Sequence, residues 1–426
     1  GLQQGLAQQL LTPEKAVTLT LKNNLDIKVA TYNEDIAANN IDILNSGYLP
    51  SITGNAGATY DKNNTEGQRL DGNTSSAQDV VTKRYNASLN LNYTLFNGLQ
   101  RLYNYKAFKA QHQLSELETQ ATIENTIIQL FTVYYEVARL EEDTQNTLEA
   151  LAISKERLKR TKYQFEFGQN TGLDILNATV DVNSDSIVYL NTLQSLRNSK
   201  RDLQLILNRK DDEEIMVDTA LRFVPNLVLE TLKNEAKTNN VQILQFEKNE
   251  AINRLQLKSA RGNYLPTIGL TGSYGWNESN TDNPLAFISS STTDGLGAGL
   301  TFSWNLFDGG AARIAEKNLL ISQDIVATQK EQVKMQITRD IENNWERYQT
   351  AFYVYKTQEK TVATAKNNFE RTKEQYGLGQ VSSVEFRQAQ TNYINAMTNK
   401  NKSKYDAKLA ELAVLQNSGK LLAMPF

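Results

Sequence analysis

The chain switches between two hydrophobic periods. From Tyr85 to Leu95 every second position is apolar or alanine (Tyr85, Ala87, Leu89, Leu91, Tyr93, Leu95), and Asn86, Ser88, Asn90, Asn92 and Thr94 lie between them. Leu296, Ala298, Leu300, Phe302, Trp304 and Leu306 repeat the pattern against Gly297, Gly299, Thr301, Ser303 and Asn305. Weaker copies follow Pro50 (Ile52, Ala56, Ala58, Tyr60) and Pro266 (Ile268, Leu270, Tyr274, Trp276). A period of two predicts strands, and four strands of about ten residues have the length that crosses a bilayer when tilted. The interleaved face is polar but uncharged, as a water-filled lumen requires. Tyr85, Tyr93, Phe96, Trp276, Trp304 and Phe307 fall near strand ends, where aromatic girdles sit. Polar, glycine- and serine-rich stretches, about 62–83 and 277–294, are expected to be long loops between the strands of each pair.

Around the strands the period becomes helical. Beyond the N-cap candidates Asn97 and Asp308, proline-free helical sequence runs to about Phe167 and Leu378, roughly 100 Å of helix each. Apolar residues spaced by three and four form a coiled-coil seam: Leu114, Leu117, Ala121, Ile128, Phe131, Tyr135 and Ala138 in one, and Ile341, Trp345, Tyr348, Phe352, Tyr355, Val362 and Phe369 in the other. Helices of about half that length are expected before each strand pair (about Pro13 to Ser46 and Leu227 to Gly262) and after each long helix (Leu173 to Leu207 and Val384 to Gln416). Two short helices stacked end to end match one long helix.

The same landmarks recur at a spacing of about 211 to 216 residues. Asn23-Asn24-Leu25 returns as Asn239-Asn240-Val241, Tyr48-Leu49-Pro50 as Tyr264-Leu265-Pro266, Leu95-Phe96-Asn97-Gly98 as Leu306-Phe307-Asp308-Gly309, and Arg160-Thr161-Lys162 as Arg371-Thr372-Lys373. The chain is a tandem duplication. Repeat 1 spans 1–210 and repeat 2 spans 226–426, joined by a connector, 211–225, that opens with Asp211, Asp212, Glu213 and Glu214.

Composition removes several function classes. With 426 residues, 40% hydrophobic, the chain has material for packed cores, and its net charge of -3 offers no basic field to nucleic acid. Without cysteine there are no disulfides, thiolate metal sites, cysteine nucleophiles or lipid-bearing N-terminal cysteine in the chain as given. His112 is the only histidine, so neither a histidine metal site nor a catalytic triad is expected, and no cofactor is implied. A Walker-type phosphate loop is also missing, so the chain does not drive transport itself. No run of about twenty apolar residues occurs, and nothing at the N-terminus reads as a signal peptide, so export would require a signal already removed. A membrane β-barrel remains, and four strands cannot close one alone. Two chains would enclose a side-chain-filled interior, whereas three give twelve strands and room for a lumen.

In this order of parts the chain resembles the TolC family of outer-membrane efflux proteins over nearly its whole length. The resemblance rests on the duplicated Tyr-Leu-Pro and Leu-Phe-Asn/Asp-Gly motifs and on the turns Phe167-Gly168-Gln169-Asn170-Thr171-Gly172-Leu173-Asp174 and Leu378-Gly379-Gln380-Val381-Ser382-Ser383-Val384-Glu385. It implies a mainly α fold with a membrane β part: duplicated helical hairpins in a periplasmic α-barrel, and four strands per chain in a trimeric twelve-stranded outer-membrane β-barrel. The connector would lie in an equatorial belt. The implied function is a passive exit duct of tripartite efflux or type I secretion, not an enzyme. The implied partners are a periplasmic adaptor and an inner-membrane efflux pump or ABC transporter, with outer-membrane lipid around the barrel. A trimeric coiled-coil structural or adhesive surface protein is the competing reading; a hydrolase with paired carboxylates has no clustered acids to support it.

The tip turns carry two layers of meaning. Gly168 and Gly379 suit the left-handed residue that ends a helix, and Thr171 to Asp174 and Ser382 to Glu385 read as capping boxes. Threefold repetition would turn one carboxylate per chain into an acidic ring. In the TolC family two aspartates commonly narrow the entrance, and the positions here that match them are Glu385 and Gln388, so one charge is kept and the other is missing. The gate candidates are therefore Asp174, Glu385 and Gln388. Gly168, Gln169, Thr171, Gly172, Leu173, Gly379, Gln380, Ser382 and Ser383 are the expected adaptor-docking tips.

Overall fold

The Asn-Asn-Leu and Asn-Asn-Val motifs break what the helical period suggests is continuous. In the computed structural model, which describes residues 10–209 and 215–424, the chain runs β1 (Leu10–Leu11), α1 (Pro13–Asn23), α2 (Leu25–Asn40), β2 (Ser51–Gln68), β3 (Thr74–Asn97), α3 (Gln100–Glu166) and α4 (Gly172–Ile206). It continues with β4 (Met216–Val217), α5 (Leu229–Asn239), α6 (Val241–Ala260), β5 (Thr267–Thr281), β6 (Ser290–Ser303), α7 (Ala311–Gly377) and α8 (Ser383–Asn417). The helix expected over 13–46 is thus two helices, with Asn24 between them in extended conformation, φ -59° and ψ 135°. The Asn24 side chain explains the break. Its Oδ1 accepts from the amides of Asp26 and Ile27, capping α2, while its Nδ2 donates to the Ile206 carbonyl at the end of α4. Asn240 does the same in the second repeat, capping α6 and donating to the Asn417 carbonyl. Asn24→Ala is expected to cost about 2 kcal/mol, a cap plus a stranded helix-end carbonyl. Thermal unfolding of the variant checks this, and an unchanged midpoint would mean that the clasp carries no load.

The chain divides into two compact units, each drawing on both repeats. One comprises the described parts of Gly1–Glu34, Ser115–Glu247 and Gln329–Phe426. Its core gathers Ile127, Leu130, Phe131, Tyr134 and Tyr135 of α3, Leu196 and Leu203 of α4, and Tyr405, Leu412 and Leu415 of α8. Leu11 and Val217 seal one end, where β1 and β4 pair in parallel and Tyr134 Oη donates to the Leu11 carbonyl at 2.7 Å. Asp211 to Glu214 lie outside the described residues. After them, 215–224 lie along α8, with Lys404 donating to the Thr219 carbonyl and the Val224 amide donating to Glu411.

The other unit, Asp35–Leu114 and Lys248–Thr328, holds a four-stranded antiparallel sheet in the order β2-β3-β5-β6. Its register confirms the alternation. Ile52 lies opposite Leu91, Leu91 opposite Gly272, and Gly272 opposite Ala298; in the next rows Gly54, Leu89, Tyr274 and Leu296 align, as do Tyr93, Leu270 and Leu300. Every row puts its apolar members on one face and Thr53, Asn90, Ser273 and Gly297 or their equivalents on the other. Ile52, Leu89, Leu296 and Leu300 are exposed in the single chain. No helix among the described residues is long and apolar enough to cross a membrane.

Two details differ from the sequence reading. The expected loops over 62–83 and 277–294 are mostly strand: only a short turn separates Gln68 from Thr74, and 282–289 separate β5 from β6. Cross-strand polar pairs extend the ladders, among them Arg84 with Asp61 at 2.9 Å and the hydroxyls of Thr82 and Thr281 at 3.0 Å. The alternation also ends earlier than Leu95. A bulge between Thr94 and Phe96 leaves Leu95 unpaired and sets Phe96 opposite Ile268. Arg101, at the start of α3, holds this corner: it donates to the Gly47 and Thr94 carbonyls and lies 4.2 Å over the Tyr48 ring.

Candidate functional site

The two helical hairpins, α3–α4 and α7–α8, end in turns built alike. Gly168 and Gly379 take φ of +71° and +74° with open space where a Cβ would stand, and the amides of Gln169 and Gln380 close the helix ends on the carbonyls of Gln164 and Gln375. Thr171 then caps α4: its amide and hydroxyl both donate to Asp174 Oδ2, at 2.9 and 2.7 Å. Ser382 repeats the arrangement with Glu385 Oε2 at 2.7 and 2.8 Å, and its hydroxyl accepts from the Glu385 amide. The Thr171 hydroxyl, then its amide, hold the Asp174 carboxyl below its ordinary value; the Ser382 amide, then its hydroxyl, do so for Glu385. A carboxylate lowered on folding contributes at neutral pH, and its contribution is lost only as pH falls through that lowered value. Both caps therefore hold at neutral pH and weaken only below the ordinary carboxylate range.

Both capping boxes are local. Gln388, three residues on from Glu385 in α8, is exposed and donates to Asn392 at 2.8 Å. Gly168, Gln169, Thr171, Gly172, Leu173, Gly379, Gln380 and Ser382 are exposed and Ser383 is half-buried. Large apolar side chains accompany them: Phe167, Leu173, Leu378 and Val384 are each about two-thirds exposed or more (78%, 66%, 74% and 70%).

Just behind the turns lies a polar cluster that sequence reasoning does not single out. Arg387 of α8 forks onto Asp185 of α4, with two bonds of 2.7 Å, and its Nε lies 3.5 Å from Asp181. Arg157 of α3 also pairs with Asp181 and donates to the Ser383 carbonyl at 3.2 Å. Ser154 donates to Asp185, and Gln390 donates to Ser154 and to the Ala150 carbonyl. Two arginines and two aspartates balance in charge, and Ser154 and Gln390 are essentially buried, at 0% and 1% exposure. Beside the cluster, Tyr376 stacks on Phe386 at 4.8 Å and Phe369 on Tyr393 at 5.5 Å. Arg160 closes the set through the Gly377 carbonyl at 2.7 Å and the Tyr376 ring. The tip of one hairpin is thus locked to the other by a partly buried ionic network. The available signal was the four-residue step from Asp181 to Asp185 on one helix face, facing the Ser154–Arg157–Thr161 stripe of α3.

Comparison with known proteins accounts for both the sheet and the hairpins. The outer membrane efflux protein profile matches residues 16–209 and 232–420. Outer membrane protein TolC of Vibrio cholerae is 25% identical over 312 residues, 71% of this chain and 69% of that protein. The outer membrane efflux protein BepC of Brucella suis is 21% identical over 430 residues, covering 98% and 89%. Among solved structures, the Campylobacter jejuni CmeC outer membrane channel shares the fold with a TM-score of 0.77 at 21% identity, over 96% of this chain and 86% of that one. The chain belongs to the outer membrane efflux protein family, the TolC family that its motifs resemble, and resides in the outer membrane.

Proposed function

We propose that three copies close their sheets into one twelve-stranded barrel and form a passive exit duct, driven by an inner-membrane pump or ABC transporter through an adaptor that docks at the hairpin tips. The observation that carries this reading is the sheet itself. Its apolar face spans the rows from Ile268 to Tyr274, crossing all four strands at Gly272 and Tyr274, with Asp294 opposite Trp276 at its margin, while β2 and β6 are both free edges. In hydrocarbon an unpaired edge leaves backbone groups unsatisfied, so the edges must meet those of other copies. On β5 the apolar positions from Ile268 to Trp276 extend roughly 27 Å along the strand, the scale of a membrane apolar band. The opposite face, polar and uncharged over that span, becomes the wall of the lumen. Exposed Phe167, Leu173, Leu378 and Val384 give the tips apolar anchors for an adaptor. The duct catalyses nothing; its work is to remain continuous and to open on demand.

The test is the mass of the detergent-extracted protein together with its conductance in a planar bilayer. A trimer with discrete conductance steps is expected, and a detergent-independent species without conductance would return the coiled-coil stalk to favour. In the same apparatus Glu385→Ala is expected to enlarge the steps and reduce cation preference, because Glu385 is the one carboxylate kept at the family's constriction positions. Identical steps and selectivity would leave Glu385 as a helix cap alone.

A further inference from the structure

The two most exposed large apolar side chains of the described residues are Leu70 and Phe287, at 111% and 107% of full exposure. Both sit on turns at the same end of the sheet, Leu70 between β2 and β3 and Phe287, beside Ile288, between β5 and β6. These turns are ordered. Arg69 and Asn73 close the first, and Asp282 bonds both the amide and the carbonyl of Val81 at the base of the second. Contact with another apolar surface would remove each of these side chains from water, a favourable transfer.

The register within one copy points to that surface. Following the rows across the sheet, Ser290 at the outer end of β6 lies level with Asn280, Lys83 and Tyr60. Yet β2 continues to Gln68, while at the other end the row of Ser51 passes through Gly299, leaving Leu300 to Ser303 with no β2 residue at their level. Within one copy β2 is therefore displaced along the strand direction relative to β6. A closed ring demands such a displacement. Twelve strands tilted about 40° and spaced about 4.8 Å accumulate a stagger of roughly 15 residues, about five per copy. Applied in the sense that pairs β6 along its whole length, this stagger brings Ser290 opposite about Thr65 of the next copy. In the other sense Gly299 would face about residue 46, before β2 begins.

Resting on the three-copy barrel proposed above, we infer that the β5–β6 turn of each copy seats on the β2–β3 turn of its neighbour, with Phe287 and Ile288 covering the neighbour's Leu70. Beyond the Ser290–Thr65 level the two turns reach the same height, so the two exposed apolar tips meet at the seam. The partner is a second copy of this chain. The seam forms an apolar clasp at the outer mouth, where the polar strand ends offer the edge-to-edge contact little else to bury.

The chain contains no cysteine, which gives a clean background for crosslinking. The double variant Leu70→Cys/Phe287→Cys, in intact outer membranes with a short bismaleimide, is expected to give mainly covalent trimers on denaturing gels, and each single variant is expected to stay monomeric. Covalent dimers from Phe287→Cys alone would mean that the turns converge on the axis and would overturn the clasp. So would crosslinked monomers, or a double variant that stays unlinked while its native mass is still trimeric. A native mass that is not trimeric overturns the barrel reading itself and the clasp with it, an outcome separable from the others.

Discussion

Leu89→Lys is expected to abolish accumulation of the protein in the outer membrane, the largest effect of any single change considered. Leu89 lies near the middle of the apolar face, in the row of Gly54, Tyr274 and Leu296, and is 57% exposed in the single chain. The substitution therefore disturbs little inside the protomer. In a barrel it places a cation in hydrocarbon, at about 2–4 kcal/mol per side chain near the midplane, or about 6–12 kcal/mol for three copies. Asn90→Lys, one residue away on the polar face, is the control and is expected to assemble normally. Outer-membrane fractionation and the yield of trimer read both. Leu89→Lys trimers at the unsubstituted protein's level would show that this face does not meet lipid.

The second large effect is expected from Arg387→Ala. It strips Asp185, itself 9% exposed, of its forked partner and leaves Asp181 shared with Arg157 alone. Removing one member of a buried ion pair costs about 3–5 kcal/mol, much of it the penalty on the charge left behind. Removing both members with volume kept is far milder, so Arg387→Met/Asp185→Leu is expected to recover more than half of the lost stability. Thermal unfolding of the detergent-solubilised protein measures the difference. A double variant as unstable as the single one would mean that the network contributes through shape rather than charge.

These two sites differ in how far the sequence alone discloses them. The strand faces are legible because a period of two is local, and the register then had only one way to bury or expose a whole face. The capping boxes are legible for the same reason, each being complete within four residues. Where strand ended and loop began was not legible: beyond Tyr60 and Trp276 both strand faces are polar, and only cross-strand pairing keeps them extended. The bulge at Leu95 preserves an apparently perfect alternation while changing which residue faces which. The Asn24 and Asn240 breaks hid inside a motif whose repetition was plain, because their second partner is a carbonyl at the end of a distant helix. Arg387 and Asp185 are 202 residues apart, and the four-residue step from Asp181 to Asp185 marks a face of α4 without naming its partner on α8.

The duplicated helices also divide their labour unequally. α3 and α7 are each 67 residues long, yet α3 buries twelve apolar residues within the protomer, from Ala110 to Leu151, whereas α7 buries five: Ala312, Ile337, Ile341, Phe369 and Tyr376. In the trimer proposed above, a single copy can thus complete the core around α3 by itself, in a step independent of concentration, while the surface of α7 is left for a neighbour to cover. With fewer buried contacts, α7 is expected to open locally at lower cost than α3 in a single copy, which limited proteolysis measures. On that reading the duplication gives one helix to folding and its twin to assembly, and the duct is built from the copies that meet in time.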